Sequence, residues 1–319
     1  MSSSNPIGGY FELELRRGEL PHSDAVLLNS GRNCLEYILR TKQPKRVYIP
    51  KFTCDVMLEP LDKLKIPYIL YSVNERLEIK EEIEPKGDEL LVYTNYFGIK
   101  TDVCYELSQK YGWRLILDYS QAFFAERPAG SHVFYSPRKF FGLPDGGMLY
   151  TDQELEERLP VAKSSSHFGH LLKRIEDGAE AGYGDFKTDD QALSNLPLMA
   201  MSKLTQRLMA NIDYEASKSR RDRNLAVLDR VIGQKNKLTL KAPAVGLLCY
   251  PFLSDDSSLR HKLIEHKIFV PTYWPNVLEW TKETELEHQL ADKLLPLPID
   301  QRYDQDDMSK IAKLILEDN

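Results

Sequence analysis

The strongest constraint in this chain is the alternation, through its first half, of short and almost wholly apolar runs with stretches of helical spacing. Arg46–Ile49, Pro67–Tyr71, Glu89–Thr94, Arg114–Leu117, His132–Tyr135 and Gly147–Tyr150 read as strands. Asn33–Arg40, a stretch through Val56, Met57, Leu61 and Leu64 that Thr53 could cap, and Thr101–Tyr111 read as helices, with apolar residues three and four apart. Strands apolar along their whole length are buried on both faces, which calls for a mainly parallel sheet covered by helices on each side. The expected fold is α/β, a three-layer sandwich. In such a sheet ligands sit beyond the carboxyl ends of the strands, so polar residues just past each strand carry most of the functional information.

The pattern changes after Thr151. Thr188–Val231 is rich in helix formers and includes Ser202–Met209 and Tyr214–Leu228. Leu238–Leu253 then holds one or two strands, Ser257–His266 a helix, Phe269–Tyr273 a strand and Asp307–Leu316 a terminal helix. A chain of 319 residues suggests two units at about 150 residues each. They are placed at 1–224, a large domain with its helical connector, and at 225–319, a smaller C-terminal α/β domain.

Composition excludes several function classes. Lys and Arg number 42 against 48 Asp and Glu, a net charge of −6, whereas a dedicated nucleic-acid binder shows a basic footprint. No apolar run reaches the roughly 18 residues of a membrane span; Ala244–Leu248 is strand-sized. Met1–Pro6 is polar and shows no basic-then-apolar leader pattern. The four cysteines form no CxxC pair and the seven histidines no HExxH, so no metal site is expected. Free thiols fit a cytoplasmic protein.

Four segments could carry chemistry. Asp118 follows the apolar run Arg114–Leu117, and a buried acid there needs a partner; it either faces a ligand or serves as a loop or capping carboxylate. Lys139 lies among aromatic residues in Phe134–Gly142, where burial would favour the neutral, nucleophilic amine; a surface lysine with its stem over Phe140 or Phe141 is the alternative. Asn29-Ser30-Gly31-Arg32-Asn33 opens a helix, either as a phosphate-binding turn or as an ordinary capped start. Pro144-Asp145-Gly146-Gly147 makes a tight turn. Taken in order, a phosphate-type turn, a strand-end acid, a lysine with a nearby serine and a glycine pair are the parts a pyridoxal phosphate site requires.

With those parts in that order, the chain resembles the DegT/DnrJ/EryC1/StrS sugar aminotransferases, pyridoxal-phosphate enzymes of fold type I. Asn29-Ser30-Gly31-Arg32 resembles their Ser-Gly-Thr turn, and Pro50-Lys51-Phe52-Thr53 their Pro-x-Phe/Tyr-Thr loop. Asn95-Tyr96-Phe97-Gly98 resembles their His-x-x-Gly segment, and Asp118-Tyr119-Ser120-Gln121-Ala122 their Asp-x-Ala-Gln/His-Ala. Ser136–Gly147 resembles the lysine segment, and Leu295-Pro296-Leu297-Pro298 the late Leu-Ser-Leu-Pro signature.

The resemblance implies that Lys139 attaches the cofactor covalently and shuttles the proton, and that Asp118 pairs with the pyridinium nitrogen. It implies that Gln121 lies near the phenolic oxygen or ring face and that Ser30, Gly31, Arg32, Asn95 and Ser136 complete the cofactor site. It further implies amino transfer from glutamate to a nucleotide-linked keto-sugar, in a homodimer with its sites at the interface. A lyase or dehydratase, or a non-catalytic binding protein on the same fold, are the competing expectations. Three positions depart from the family. Phe134 stands where the phosphate serine is usual, Cys54 stands where an aromatic often stacks, and no Asn-Tyr-Arg-Met interface segment is present, Tyr183-Gly184-Asp185-Phe186 being a poor substitute. The stretch Leu196–Met209, read as helical, is either a subunit contact or a buried intrachain core helix, and Arg220-Arg221-Asp222-Arg223 either a cation for the partner's phosphate or a solvated helix face.

Overall fold

The computed structural model describes residues 7–16, 18–240 and 245–317. Met1–Pro6 and part of Ala244–Leu248 lie outside them. In chain order the first unit contains β1 (Val26–Leu28), α1 (Gly31–Lys42), β2 (Val47–Pro50), α2 (Glu59–Leu64), β3 (Tyr68–Tyr71), β4 (Leu90–Thr94), α3 (Thr101–Tyr111), β5 (Leu115–Tyr119), β6 (His132–Tyr135) and β7 (Gly147–Tyr150). The helical stretch holds α4 (Gly169–Glu176), α5 (Tyr183–Gln191), α6 (Lys203–Met209) and α7 (Tyr214–Ile232). The rest comprises β8 (Tyr250–Leu253), α8 (Leu259–Glu265), α9 (Pro275–Trp280), α10 (Leu286–Lys293), β9 (Leu294–Leu297) and α11 (Gln305–Leu316).

The seven-stranded sheet has the order β1-β7-β6-β5-β4-β2-β3. The pairs from β3 to β6 are parallel, and β7 runs antiparallel to both β6 and β1. Alternate residues of each strand face opposite layers. Leu90, Val92, Ile116, Phe134 and Leu149 join a core with α1 and α2, whereas Leu91, Tyr93, Leu115, Leu117, Tyr119, Val133 and Tyr135 join the other. The three-layer expectation holds.

The second unit is built on the antiparallel pair β8–β9, in register Tyr250↔Leu297 to Leu253↔Leu294. It shares a core with α8, α11 and the C-terminal half of α7. The junction expected at Leu225 falls inside α7. Asn224 there donates to the carbonyls of Ile299 and Tyr303, each at 3.0 Å.

Three local expectations are corrected. Phe269–Tyr273 is not a strand: Pro271 has no N–H to give a ladder, and Arg260 takes the carbonyls of Val270 and Pro271. Thr53 caps no helix; the chain makes a short 3-10 turn at Asp55–Met57, and α2 begins with Pro60 in its first turn. The stretch Leu196–Met209 is helical only from Lys203, because Ser202 Oγ accepts the N–H of Thr205 and sets the start. Residue Ala200 before it is bridged to Leu28 and Val161 as extended chain. Leu198, Met201 and Met209 are buried within the chain, so this stretch presents core rather than an open subunit face. Leu238–Leu253, expected to hold one or two strands, holds one, β8, among the described residues.

Candidate active site

Strand parity decides where Asp118 points. Ile116 of β5 faces the α1 layer, so Asp118 shares that face, and Ser120 just beyond the strand continues it. Asp118 is 4% exposed and accepts the backbone N–H of Ser120 at 2.8 Å. Burial pushes its carboxyl above the usual carboxylate range, and the Lys139 charge and the Ser120 hydrogen bonds work against that rise. Lys139 ends a 3-10 turn after β6, and its Nζ donates to Ser120 Oγ at 3.1 Å. Ser120 therefore touches both the acid and the amine. It was not singled out from the sequence, although an i, i+2 spacing from Asp118 at a strand end signals it.

The start of α1 converges on the same place. Ser30 Oγ accepts the N–H of Asn33 at 3.2 Å, and Ser30 O accepts that of Cys34 at 3.0 Å. The N–H groups of Gly31 and Arg32 are ones the helix cannot satisfy itself. A Cβ on Gly31 would lie 3.7 Å from the Phe134 ring and 4.0 Å from Ser136 Cβ, so this helix end and Ser136 face one another. Such an end attracts anions through its dipole and its free donors.

The turn at Pro144–Gly147 anchors the arrangement. Asp145, 1% exposed, accepts Asn29 Nδ2 at 3.1 Å, the Ser202 N–H at 3.0 Å and Ser202 Oγ at 2.8 Å, and also the Thr205 hydroxyl. Gly147 is required by close approach: an added Cβ would strike Ser30 O and lie 2.7 Å from Cys34 Sγ.

The expected site residues thus divide. Asp118, Lys139, Gly31, Ser30 and Ser136 lie together on the α1 face, with the Ser30 hydroxyl spent on its own helix. Arg32 turns toward Glu59, its Nε 3.3 Å from a carboxylate oxygen. Asn95 uses its side chain at the start of α3, donating to Thr101 Oγ1 at 3.0 Å and accepting the Lys100 N–H at 2.9 Å. Gln121 is fully buried; its Oε1 accepts the N–H of Phe97 at 2.8 Å, and its Nε2 has no hydrogen-bond partner.

Lys139 is exposed, against the expectation of a lysine buried among aromatics. Phe140 and Phe141 turn away into a cluster with Phe123 and Tyr214. Cys54 borders the lysine: burial pushes its thiol up while the Lys139 charge pulls it down. Arg221 is not a cation awaiting a partner's phosphate. It is 1% exposed and donates to Leu247 O at 2.9 Å, Leu248 O at 3.1 Å, Phe140 O at 3.2 Å and Gln301 Oε1 at 3.1 Å. A separate cavity of about 590 Å³ opens on the opposite face of the sheet, against Tyr135 and Tyr214, and includes none of these site residues.

The arrangement offers a buried carboxylate, an accessible amine and an anion-binding helix end on one side of a sheet edge. No family model and no curated protein matches the sequence. Solved structures do. Over 92% of its length the chain superposes on 87% of the sugar aminotransferase CalS13 from Micromonospora echinospora, with a TM-score of 0.64 and 15% identity. It covers 84% of a DegT DnrJ EryC1 StrS aminotransferase from Brucella abortus with 91% of its own length, at TM-score 0.61 and 16% identity. For DesI, solved in the presence of its TDP-sugar product, the figures are 79% and 91%, 0.61 and 15%. The chain accordingly has the fold of the sugar aminotransferases, fold type I, over nine tenths of its length.

Proposed function

We propose that this chain is a pyridoxal 5′-phosphate-dependent aminotransferase that moves an amino group from glutamate to a nucleotide-linked keto-sugar. One observation carries the reading: Lys139 Nζ and the Asp118 carboxylate meet at Ser120, beside the open N-terminus of α1. The residues fit the cofactor. The N–H groups of Gly31 and Arg32 with the Ser136 hydroxyl suit its phosphate, Asp118 its ring nitrogen, and Lys139 its aldehyde. The unpartnered Gln121 Nε2 is a buried donor left for a ring oxygen.

When bound, pyridoxal phosphate supplies an electron sink for a carbanion formed beside an amine. The chain's part is electrostatic and positional. Asp118, a negative charge in a buried setting, would help keep the cofactor's ring nitrogen protonated. Ser120 orients both Asp118 and Lys139. Lys139 Nζ, exposed, would be the group that moves the proton. A lysine at this position favours amino transfer over the dehydratase reading, in which histidine replaces it.

DesI was solved in the presence of its TDP-sugar product, which supports a nucleotide-sugar acceptor here. We also infer a homodimer. The four cysteines are unpaired, in keeping with a reducing, cytoplasmic setting; among the described residues no helix is long and apolar enough to cross a membrane.

The test begins with reconstitution. Chain mixed with cofactor is expected to show visible absorbance, and borohydride to fix the label on the Lys139 peptide alone. Lys139→Ala is expected to abolish both. Glutamate is then expected to bleach the band, and a panel of nucleotide keto-sugars to restore it. A label elsewhere, or a band indifferent to glutamate, defeats the reading.

A further inference from the structure

We infer that Ser120 is a latch for Lys139: in the cofactor-free chain its hydroxyl holds the lysine amine over Asp118 as that acid's counter-cation, and so sets how fast the amine reaches an aldehyde. The inference rests on the cofactor reading of the site and adds a positioning residue to it.

A carboxylate as buried as Asp118, 4% exposed, is costly to keep ionised without donors or a cation. Ser120 provides the donors. Its N–H donates to Asp118 Oδ1 at 2.8 Å, and its hydroxyl also hydrogen-bonds the carboxylate. The hydroxyl spends its one proton on the acid, which leaves its lone pairs for the amine: Lys139 Nζ donates to Ser120 Oγ at 3.1 Å. Ammonium, hydroxyl and carboxylate thus form one chain, in which each bond strengthens the next. Lys139 is also the charge that pulls the Asp118 carboxyl down.

The latch is fixed on one side and loose on the other. Ser120 is 7% exposed. It is held by β5 behind it and by Gln121 in front, whose Oε1 accepts the Phe97 N–H at 2.8 Å. The backbone around the lysine is pinned too. The Lys139 N–H donates to Ser136 O at 3.2 Å, and Phe140 O accepts Gln301 Nε2 at 2.8 Å. The Lys139 side chain, by contrast, is exposed, an ammonium on a flexible four-carbon stem. Motion at this site is therefore a swing of the amine away from Ser120, with the turn left in place.

Chemistry requires that swing. In pyridoxal phosphate the aldehyde is attached para to the ring nitrogen. A ring whose nitrogen meets Asp118 carries its aldehyde on the far side from the acid, so the amine cannot stay on Ser120 and also reach it. Asp118 then exchanges one cation, the ammonium, for another, the protonated ring. Capture needs the free amine: the ammonium gives one proton to water, its nitrogen bonds the aldehyde carbon, and the aldehyde oxygen leaves as water with the two remaining protons. The hydrogen bond that holds the ammonium on Ser120 opposes that release.

Two readouts test the latch, one of them without cofactor. In the cofactor-free full chain, Lys139→Met is expected to lower the urea midpoint, because it strips a buried carboxylate of its cation. It is expected to lower it less than half as much when Ser120→Ala is already present, and not at all when Asp118→Asn is present. Ser120→Cys, close in shape but a weak acceptor, is expected to act as Ser120→Ala does, and stands in for it should the smaller side chain unfold the turn. On mixing with pyridoxal phosphate, the visible band is expected to rise on the order of tenfold faster in Ser120→Ala than in the wild type, the factor for losing one hydrogen bond to a charged group. A Lys139→Met cost indifferent to Ser120 and Asp118, a Ser120→Cys chain that behaves as the wild type, or a Ser120→Ala band that rises no faster overturns the latch. A wild-type chain that takes up no pyridoxal phosphate defeats the aminotransferase reading alone, and the midpoints still decide the latch.

Discussion

At the scale of single residues, Asp118 sets two demands against each other. Burial raises its carboxyl pKa, so the ionised form costs stability at neutral pH. The sign is that of a group whose folded pKa lies above its unfolded one: stability is lost as pH rises through that interval. Asp118→Asn is therefore expected to raise the thermal midpoint of the cofactor-free protein at pH 7, read by calorimetry. On the proposed function, the same change in the cofactor-loaded protein would remove the charge assigned to a ring nitrogen. Loss of one such preorganised contact costs on the order of 3 kcal/mol, or roughly a hundredfold in turnover. A midpoint that falls, or turnover that survives at full cofactor occupancy, contradicts the role. Asp118 and Lys139 were legible in the sequence because each follows an apolar run whose end is fixed by periodicity. Ser120 was not singled out, since its importance arises from touching both. The side-chain partners of Arg32 and Asn95 were not legible, for the converse reason. Their neighbours Glu59 and Thr101 engage them, and nothing local reveals which partner a long polar side chain will choose.

At the scale of elements, most strands and helices of the first unit were readable to within a residue or two, with α3, β6 and β7 matching at both ends, whereas the edge strand β1 was not read and α2 starts only at Glu59. Continuous apolar runs leave little freedom there. The reading failed where proline or a distant side chain decides: at Pro271 and Arg260, and at Ser202, whose cap is held by Asp145 from across the sheet. The glycine pair, legible only as a turn, is a contact surface between β7 and α1. Gly147→Ala would drive a methyl into Ser30 O and Cys34 Sγ, displacing the helix end proposed as the anion cradle. The expected result is a loss of about 2 kcal/mol, in the range of overpacked core sites, together with weaker cofactor retention in equilibrium dialysis. An unchanged denaturant midpoint would show that α1 shifts at no cost.

At the scale of the whole molecule, acid sensitivity traces to a buried imidazole. His132 is 1% exposed on β6, and its Nδ1 lies 2.9 Å from Thr151 Oγ1. Burial lowers its pKa from 6.5 to about 4, with Asp152 opposing the shift. The unfolded chain takes up a proton near pH 6.5 that the folded chain refuses until about pH 4, so stability drops as pH falls across that window. Urea midpoints are expected to decline between those values in the wild type and to decline less in His132→Gln. Equal slopes for both proteins would remove His132 as the cause.

Arg221 gives the molecule a property that neither sheet has alone. Its guanidinium, rooted in α7, is shared among the carbonyl following the lysine, two carbonyls leading into β8 and a side chain beyond β9. Burial lowers its pKa to about 10, so it remains a cation at neutral pH. Three of its four acceptors lie after α7 in the chain and one before it. The two units are thus tied through one guanidinium, which also holds the carbonyl of Phe140 next to Lys139.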